Sequence, residues 1–134
     1  MDKKSIELEI FGDPAPQGSK RIIQGRLIEA SSAKLNRWRK AIAERCQNAK
    51  EQEDIFFSGP VSVEVFFYLP RPKTVKRAWP IVPPDLDKLC RGVLDGIGQS
   101  EVTWKDDSQV IKLVAWKAYA DDRDPGAFVK ITEI

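Results

Sequence analysis

The segment at residues 61–69 is VSVEVFFYL, a run rich in β-branched and aromatic side chains that predicts a β-strand. Further strands are predicted on both sides of it. Residues 5–11 alternate, with Ile6, Leu8 and Ile10 on one side, as in a half-buried strand. Residues 109–119 and 127–133 close the chain as two more strands, separated by a turn rich in Asp, Pro and Gly.

Two helices are predicted between these strands. Apolar residues recur at helical spacing over 33–49, after a capping serine at position 31 or 32. A second helix fits 86–97, with Gly98 as its C-terminal stop. Apolar pairs within 20–30 predict a small hairpin. The sequence therefore predicts one α+β domain over residues 1–134, with a mixed β-sheet of about four strands packed against two main helices.

Composition excludes several classes of site. The chain has 134 residues and no histidine, which excludes Ser-His-Asp and Cys-His catalysis and His-ligated zinc. Its two cysteines, Cys46 and Cys90, are too few for a zinc site or a disulfide framework and are predicted to be reduced core thiols. There is no apolar leader and no run of about 18 apolar residues, so we expect a soluble, cytoplasmic protein without a membrane partner.

Two pairs of acids stand out, one at the start of the second predicted helix and one at the start of the strand that follows it. Asp85 and Asp87 lie at the start of the helix, and Asp106 and Asp107 lie before the following strand. An N-cap and a turn would account for them structurally. With no histidine present, however, a carboxylate cluster could hold Mg²⁺ for phosphodiester cleavage. Asp95 shares the helix face of Asp87, and there a solvated stripe is the favoured interpretation.

Basic residues are concentrated near these acids. Residues 70–84 contain five prolines, four basic residues and no acid, which predicts an irregular loop that follows the phosphate backbone of DNA. Trp79 in this loop could stack on an unpaired base or serve as a packing anchor. Trp38 and Trp116 lie on periodic apolar faces and are predicted to be core residues. Gly92 and Gly96 allow a close approach, either in a dimer or within the chain.

Several motifs together resemble the RusA family of Holliday-junction resolvases, which is common in prophages. The core of the resemblance is the stretch 84–89, followed by Arg91, Leu94-Asp95 and then 104–110, which contains DDSQV. The stretch 14–21, the Trp38-Arg39 helix and Lys117 are also similar to phage members. The similarity extends over roughly residues 5–132.

The resemblance implies a homodimeric, Mg²⁺-dependent endonuclease that makes paired nicks in a four-way DNA junction during recombination and repair. It implies no organic cofactor and a protein that is nucleoid-associated when bound to DNA. Its metal ligands would be Asp85, Asp87 and Asp107. The family has a functional lysine where this chain has Arg91; if that role is phosphate contact Arg91 suffices, whereas proton transfer would require Lys88. The predicted DNA contacts are Arg71, Lys73, Lys76, Arg77, Lys20, Arg21 and Lys117.

Three other interpretations make different demands on the chain. A restriction-nuclease type of site would need an acid two residues before Lys117, where the chain has Ala115. A non-catalytic DNA-binding protein with a basic loop would bind branched DNA without cleaving it. A small protein–protein adaptor would show no salt-sensitive affinity for DNA.

Overall fold

The computed structural model describes residues 3–18, 20–29 and 32–134, and for residues 20–23, 27–29 and 32 it describes the backbone only. The elements in chain order are β1 (Ser5–Phe11), β2 (Lys20–Ile23), β3 (Arg26–Glu29), α1 (Ser32–Gln52), β4 (Val61–Leu69), α2 (Leu86–Ser100), β5 (Val110–Tyr119) and β6 (Gly126–Glu133). A short 3₁₀ turn, Asp107–Gln109, lies between α2 and β5.

The main sheet has four strands in the order β1-β6-β4-β5. Strand β4 pairs with β5 in parallel and with β6 antiparallel, and β1 pairs antiparallel with β6. Strands β2 and β3 form the predicted hairpin as a separate two-stranded sheet, in which Gln24 and Gly25 turn the chain with positive φ. The mixed four-stranded sheet and the two helices confirm the predicted α+β fold.

The core lies between one face of this sheet and the two helices. Alternate residues of β4 (Val61, Val63, Val65, Phe67, Leu69) are buried. The helices contribute Leu35, Trp38 and Ile42 from α1 and Leu89, Val93 and Ile97 from α2. Apolar side chains at period 2 in the strand and near period 3.6 in the helices therefore meet in a single layer.

Glycines bring α2 close to its neighbours within the chain. At Gly96, a Cβ atom would lie 3.0 Å from the side chain of Ile42, and at Gly92 it would lie 2.9 Å from the carbonyl oxygen of Ala15. Both close approaches are contacts within one chain, with α1 and with the loop that follows β1. Packing inside the chain thus accounts for both glycines.

Two sequence predictions about the fold are wrong. Helix α2 does not stop at Gly98 but continues to Ser100, and Glu101 then turns left-handed (φ 62°) and donates to the carbonyl of Gly98. The helix continues because Ser100 extends its buried face by one position. Trp116 is 54% exposed rather than buried, because β5 is an edge strand and Trp116 faces away from the helices, stacked on Phe66.

Other predictions about single residues are confirmed. Trp38 is in the core, and Cys46 and Cys90 are buried free thiols. Residues 70–84 form neither helix nor strand. In the part of the chain that the structure describes, neither helix is long and apolar enough to span a lipid bilayer.

Candidate active site

The first acid pair lies where the loop at 70–84 enters α2. Asp85 occupies the N-cap position with an extended backbone, but its side chain forms no capping hydrogen bond to the described helix. Its carboxylate instead lies 3.6 Å from the ammonium of Lys88, one turn along. Capping therefore does not explain why this position carries an acid, and both Asp85 and Asp87 remain exposed.

Lys117 fixes the segment that precedes Asp85. The side chain of Lys117 leaves β5 and donates to the carbonyl oxygens of Val82 and Pro84, at 2.9 Å each. The peptide bond between Pro83 and Pro84 is cis. The start of α2 is thus tied to the C-terminal part of the sheet's edge strand, and two of the three donors of this ammonium are already used.

Arg71 organises the basic loop. Its guanidinium forms a bidentate pair with Asp121 (Nε–Oδ1 2.7 Å, Nη2–Oδ2 3.0 Å) and also donates to the carbonyls of Val75 and Arg77. It lies 4.2 Å from the centroid of the Tyr119 ring. The hydrogen bond with Asp121 raises the pKa of Arg71. These contacts hold the loop on the turn after β5, and they leave the nearby cations of the loop, Lys73, Lys76 and Arg77, exposed.

The two acids of the second pair have different roles: Asp106 caps the 3₁₀ turn, and Asp107 is directed toward α2. The Asp106 carboxylate accepts from the backbone of Ser108 at 3.0 Å, while the Gln109 side chain accepts from the Asp106 N–H, a capping box for the 3₁₀ turn. The hydrogen bonds with Ser108 lower the pKa of Asp106. Gln109 also donates to the carbonyls of Phe57 and Gly59, which anchors the turn. Asp106 therefore shapes the turn and leaves Asp107 directed toward α2.

Asp107 meets Asp95 of α2. Partial burial raises the pKa of Asp107 most, followed by the negative charges of Asp106 and Asp95 and a hydrogen bond with Asp95, whereas Arg91 lowers it. Two carboxyl groups this close are unfavourable when both are ionised, unless a cation lies beside them. The favoured interpretation of Asp95 as a solvated residue is thus wrong: Asp95 is half-buried and belongs to the site.

The loop after β1 completes this side of the site. The Gln17 side chain donates a hydrogen bond to Asp95, and the Gln17 backbone N–H donates to the carbonyl of Lys88 at 3.0 Å. The Arg91 side chain lies beside this loop, because a Cβ atom on Gly18 would be 3.2 Å from Arg91 Nη1. The sequence holds no local signal for Gln17, because 78 positions separate it from Asp95. Asp95 does have a local signal, because its spacing of eight positions from Asp87 places both acids on the same face of a helix.

The remaining predicted site residues are distributed along one helix face. Asp87, Arg91 and Asp95 follow each other at intervals of one turn, so Asp87 and Asp95 are about 12 Å apart along the axis. Burial, and then the charge of Asp87, raises the pKa of Cys90 beneath this face to about 11. The side chains of Lys20 and Arg21 lie outside the described residues.

Comparison with known proteins agrees with the resemblance. The family model of endodeoxyribonuclease RusA matches residues 12–132. The chain belongs to the RusA family. It is also similar to a protein of Bacillus subtilis (strain 168) named "Uncharacterized protein YqaN", with 29% identity over 143 residues that cover 96% of each chain. Membership of the RusA family supports nuclease activity and implies the resolution of Holliday junctions, which are branched DNA.

The donors of the site fit a divalent cation in kind. Asp85, Asp87, Asp95 and Asp107 offer only oxygen atoms, which hard cations prefer, and Asp95 and Asp107 are already in contact. Within the described ranges no three Asp, Glu, His or Cys side chains lie close enough together to enclose a metal ion. Mg²⁺ in proteins is typically held by one or two carboxylates together with waters. The RusA residues present therefore fit such an ion as a sparse, partly hydrated site.

We predict that Gly92→Ala destabilises the protein. Its Cβ would meet the backbone carbonyl of Ala15, so the loop that carries Gln17 must shift, and overpacking of this kind costs about 1–3 kcal/mol. Gly98→Ala is the matched control on the same helix, since its Cβ would lie 3.8 Å from the Trp104 side chain, an ordinary contact. Chemical denaturation measures both variants, and equal gains in stability would contradict the packing described.

Folding shifts the pKa values of Asp107 and Asp106 in opposite directions, so we predict opposite effects on stability when each is replaced. A carboxyl whose pKa is raised by folding stabilises the native state below its ordinary pKa of 3.8, and this contribution is lost as the pH rises. In metal-free protein at neutral pH, Asp107→Asn should therefore be more stable than the wild type. The difference in the free energy of unfolding between Asp107→Asn and the wild type should disappear as the pH falls toward 3.8.

Asp106→Ala is the control for this experiment. It removes the cap of the 3₁₀ turn and a carboxylate whose pKa is lowered, so it should be less stable than the wild type at neutral pH and should approach it in acid. Denaturation curves across the pH range, with a chelator present, give both differences. A loss of stability in Asp107→Asn at every pH would show that the two carboxyl groups do not repel each other.

Proposed function

We propose that this RusA-family protein is a Mg²⁺-dependent, structure-selective endodeoxyribonuclease that acts as a homodimer and resolves four-way junctions by paired nicks in DNA recombination and repair. The observation that carries the proposal is the contact of Asp107, which precedes β5, with the acidic face of α2 beside Arg91. This contact brings Asp107 of the second pair onto the helix whose start carries the first pair, Asp85 and Asp87, which are exposed.

The proposed metal ligands are Asp85, Asp87 and Asp107, with Asp95 as the partner that holds Asp107 against α2. Because about 12 Å along the helix axis separates Asp87 from Asp95, we propose that the two groups of carboxylates bind hydrated Mg²⁺ at neighbouring positions on α2 and do not enclose one ion in this conformation. These carboxylates would hold a divalent cation, which when bound would supply an activated water and positive charge at the scissile phosphate. The protein's own contribution is to hold its carboxylates at fixed places on α2 and on the 3₁₀ turn. The turn is rigid because Gln109 binds two carbonyls at its far side.

Arg91 is the residue that we assign to phosphate contact. It is exposed and lies close enough to Asp107 to lower the pKa of that carboxyl. A guanidinium can bind two phosphate oxygens at once, but it is a poor proton-transfer group. Lys88 is already paired with Asp85, so its first role is to neutralise that carboxylate.

The loop at 70–84 is proposed to guide the DNA backbone to these acids. Lys73, Lys76 and Arg77 are exposed on it, and the loop runs directly into Asp85. Trp79 is 58% exposed and so is not a packing anchor in the described fold, which favours stacking on an unpaired base. Arg71 is held by Asp121, and we give it the structural task of shaping the loop.

The decisive experiment is cleavage of a synthetic four-way junction with and without Mg²⁺. We expect paired nicks with the metal and none in the presence of a chelator. Asp87→Asn should reduce nicking at least about a hundredfold, because loss of a ligand removes several kcal/mol of charge stabilisation, and should leave junction binding intact. Asp106→Asn is the control and should be mild, since an amide oxygen can still accept from Ser108. Binding of the junction by the wild type without any metal-dependent nicking would contradict the proposal and favour a non-catalytic binding protein.

A second prediction concerns the loop. Changing Lys73, Lys76 and Arg77 together to Gln should weaken junction binding, because the loop then neutralises fewer phosphates. The slope of log affinity against log salt should fall by roughly 0.9 for each phosphate released from the loop, or about 2.7 in all. Lys50→Gln is the control, because Lys50 lies near the end of α1, away from the loop, and its ammonium is paired with Asp54. Titrations at several salt concentrations give the slopes. A slope equal to that of the wild type would place the loop away from the DNA.

A further inference from the structure

Strand β5 exposes apolar side chains on both faces of a sheet edge. In the described sheet it pairs with β4 alone, so the backbone groups along its other side are not paired with a strand there, and residues 111–114 and 116 are exposed. Leu113 (43% exposed) shares the helix-side face with its neighbour Val63, while Val114 (36%) and Trp116 (54%) are on the opposite face. Ile111, at the irregularity near the start of the strand, is 68% exposed.

The other edge of the sheet is protected in the usual way. Strand β1 has seven residues and carries Glu7 and Glu9 on its outward face, and Glu9 is paired with Arg123. Charged side chains and short length discourage pairing between sheet edges, whereas a long apolar edge invites it. Strand β5 has its only charges at Lys112 and Lys117, and the Lys117 ammonium is bound to two loop carbonyls.

The distribution of exposure indicates how a partner would lie. A partner placed on the outer face of the sheet would cover Val114 and Trp116 but leave Leu113 in water. A strand placed alongside β5 covers side chains on both faces and also satisfies the open backbone groups. The occupant that fits is therefore a β-strand with apolar residues on both of its faces.

We propose that β5 pairs antiparallel with β5 of a second copy of this chain, about a two-fold axis that passes through Val114. A two-fold axis perpendicular to the sheet keeps each side chain on its own face, so partners must be an even number of positions apart. With the axis at Val114, the two valines meet, Lys112 lies opposite Trp116 of the second copy, and Leu113 lies opposite Ala115. A lysine beside an exposed tryptophan is a favourable pair, whereas an axis at Lys112 would set two like charges against each other.

This inference deepens the homodimer of the proposed function and rests on it for its meaning. Asp107 lies just before β5, so the same axis would relate the two candidate active sites and place them at opposite ends of the paired strands. From Val110 to Val114 the strand advances about 13 Å, which sets the two strand starts about 26 Å apart along the strands. One eight-stranded sheet would then carry both sites on its helix-covered face.

Cross-linking through introduced cysteines tests the register. Opposed residues in an antiparallel pair have Cα atoms about 4.5 or 5.5 Å apart, and a disulfide accepts either distance. Val114→Cys should therefore form a covalent dimer under mild oxidation. Lys112→Cys alone should not, but a mixture of Lys112→Cys with Trp116→Cys should. The wild type, whose two cysteines are buried, and Phe11→Cys on the β1 edge are the controls and should stay uncross-linked.

Sedimentation of Val114→Lys provides the second measurement. Two like charges would meet on the axis, so this variant should be monomeric at concentrations where the wild type is a dimer. The variant monomer should still unfold cooperatively, which shows that the domain itself is folded. A Val114→Lys protein that stays dimeric, a Val114→Cys dimer that does not cross-link, or a wild type that is monomeric both free and on the junction would each overturn the inference. Metal-dependent nicking by the wild type is scored separately: nicking by a dimer joined elsewhere defeats only the β5 interface, and cross-linking at Val114 without nicking defeats only the proposed function.

Discussion

The parallel pairing of β4 with β5 is the constraint on which the rest of this structure depends. Parallel neighbours cannot be joined by a tight turn, so the chain must cross the sheet between Leu69 and Val110 before it can pair again. That crossing consists of the basic loop, α2 and the 3₁₀ turn. Both acid pairs lie within it, one at the start of the helix and one at the 3₁₀ turn, and the return into β5 is what carries Asp107 back to the face of α2.

Rigid packing gives this crossover its precision. Gly92 and Gly96 let α2 approach the loop after β1 and helix α1 so closely that a methyl group would not fit without movement. Lys117 fixes the beginning of the helix to β5, and Gln109 fixes its far end through the turn. The acids therefore do not sit on a mobile loop, and the mutual repulsion of Asp95 and Asp107 is retained in the fold because the surrounding contacts hold them there.

Much of this arrangement could be predicted from the sequence. Alternating and β-rich segments gave the strand positions within a residue or two, because burial of one face imposes period 2 directly on the chain. The split between Asp106 and Asp107 was also accessible, since an acid followed three positions later by Gln109 is a capping pattern. Local patterns of this kind depend on neighbours in the chain, and the sequence displays those.

What could not be predicted depends on contacts between distant segments. Trp116 has the periodicity of a core residue, but only the strand order shows that β5 is an edge and that this side chain faces water. Asp95 has the spacing of a solvated stripe, and its role appears only when the crossover brings Asp107 against it. Gln17 reaches the site from 78 positions away. The pattern of residues within one segment does not show which distant residues that segment will contact.

The most direct test of the central claim, that the crossover places both acid pairs along one face of α2 as cation-binding carboxylates, is paramagnetic broadening of backbone NMR signals by Mn²⁺. We expect substoichiometric Mn²⁺ to broaden the signals of residues 85–95 and 106–108 together, while the signals of the acidic turn at Asp121, Asp122 and Asp124 stay sharp as an internal control. Broadening centred on that turn, or at only one end of α2, would contradict this claim.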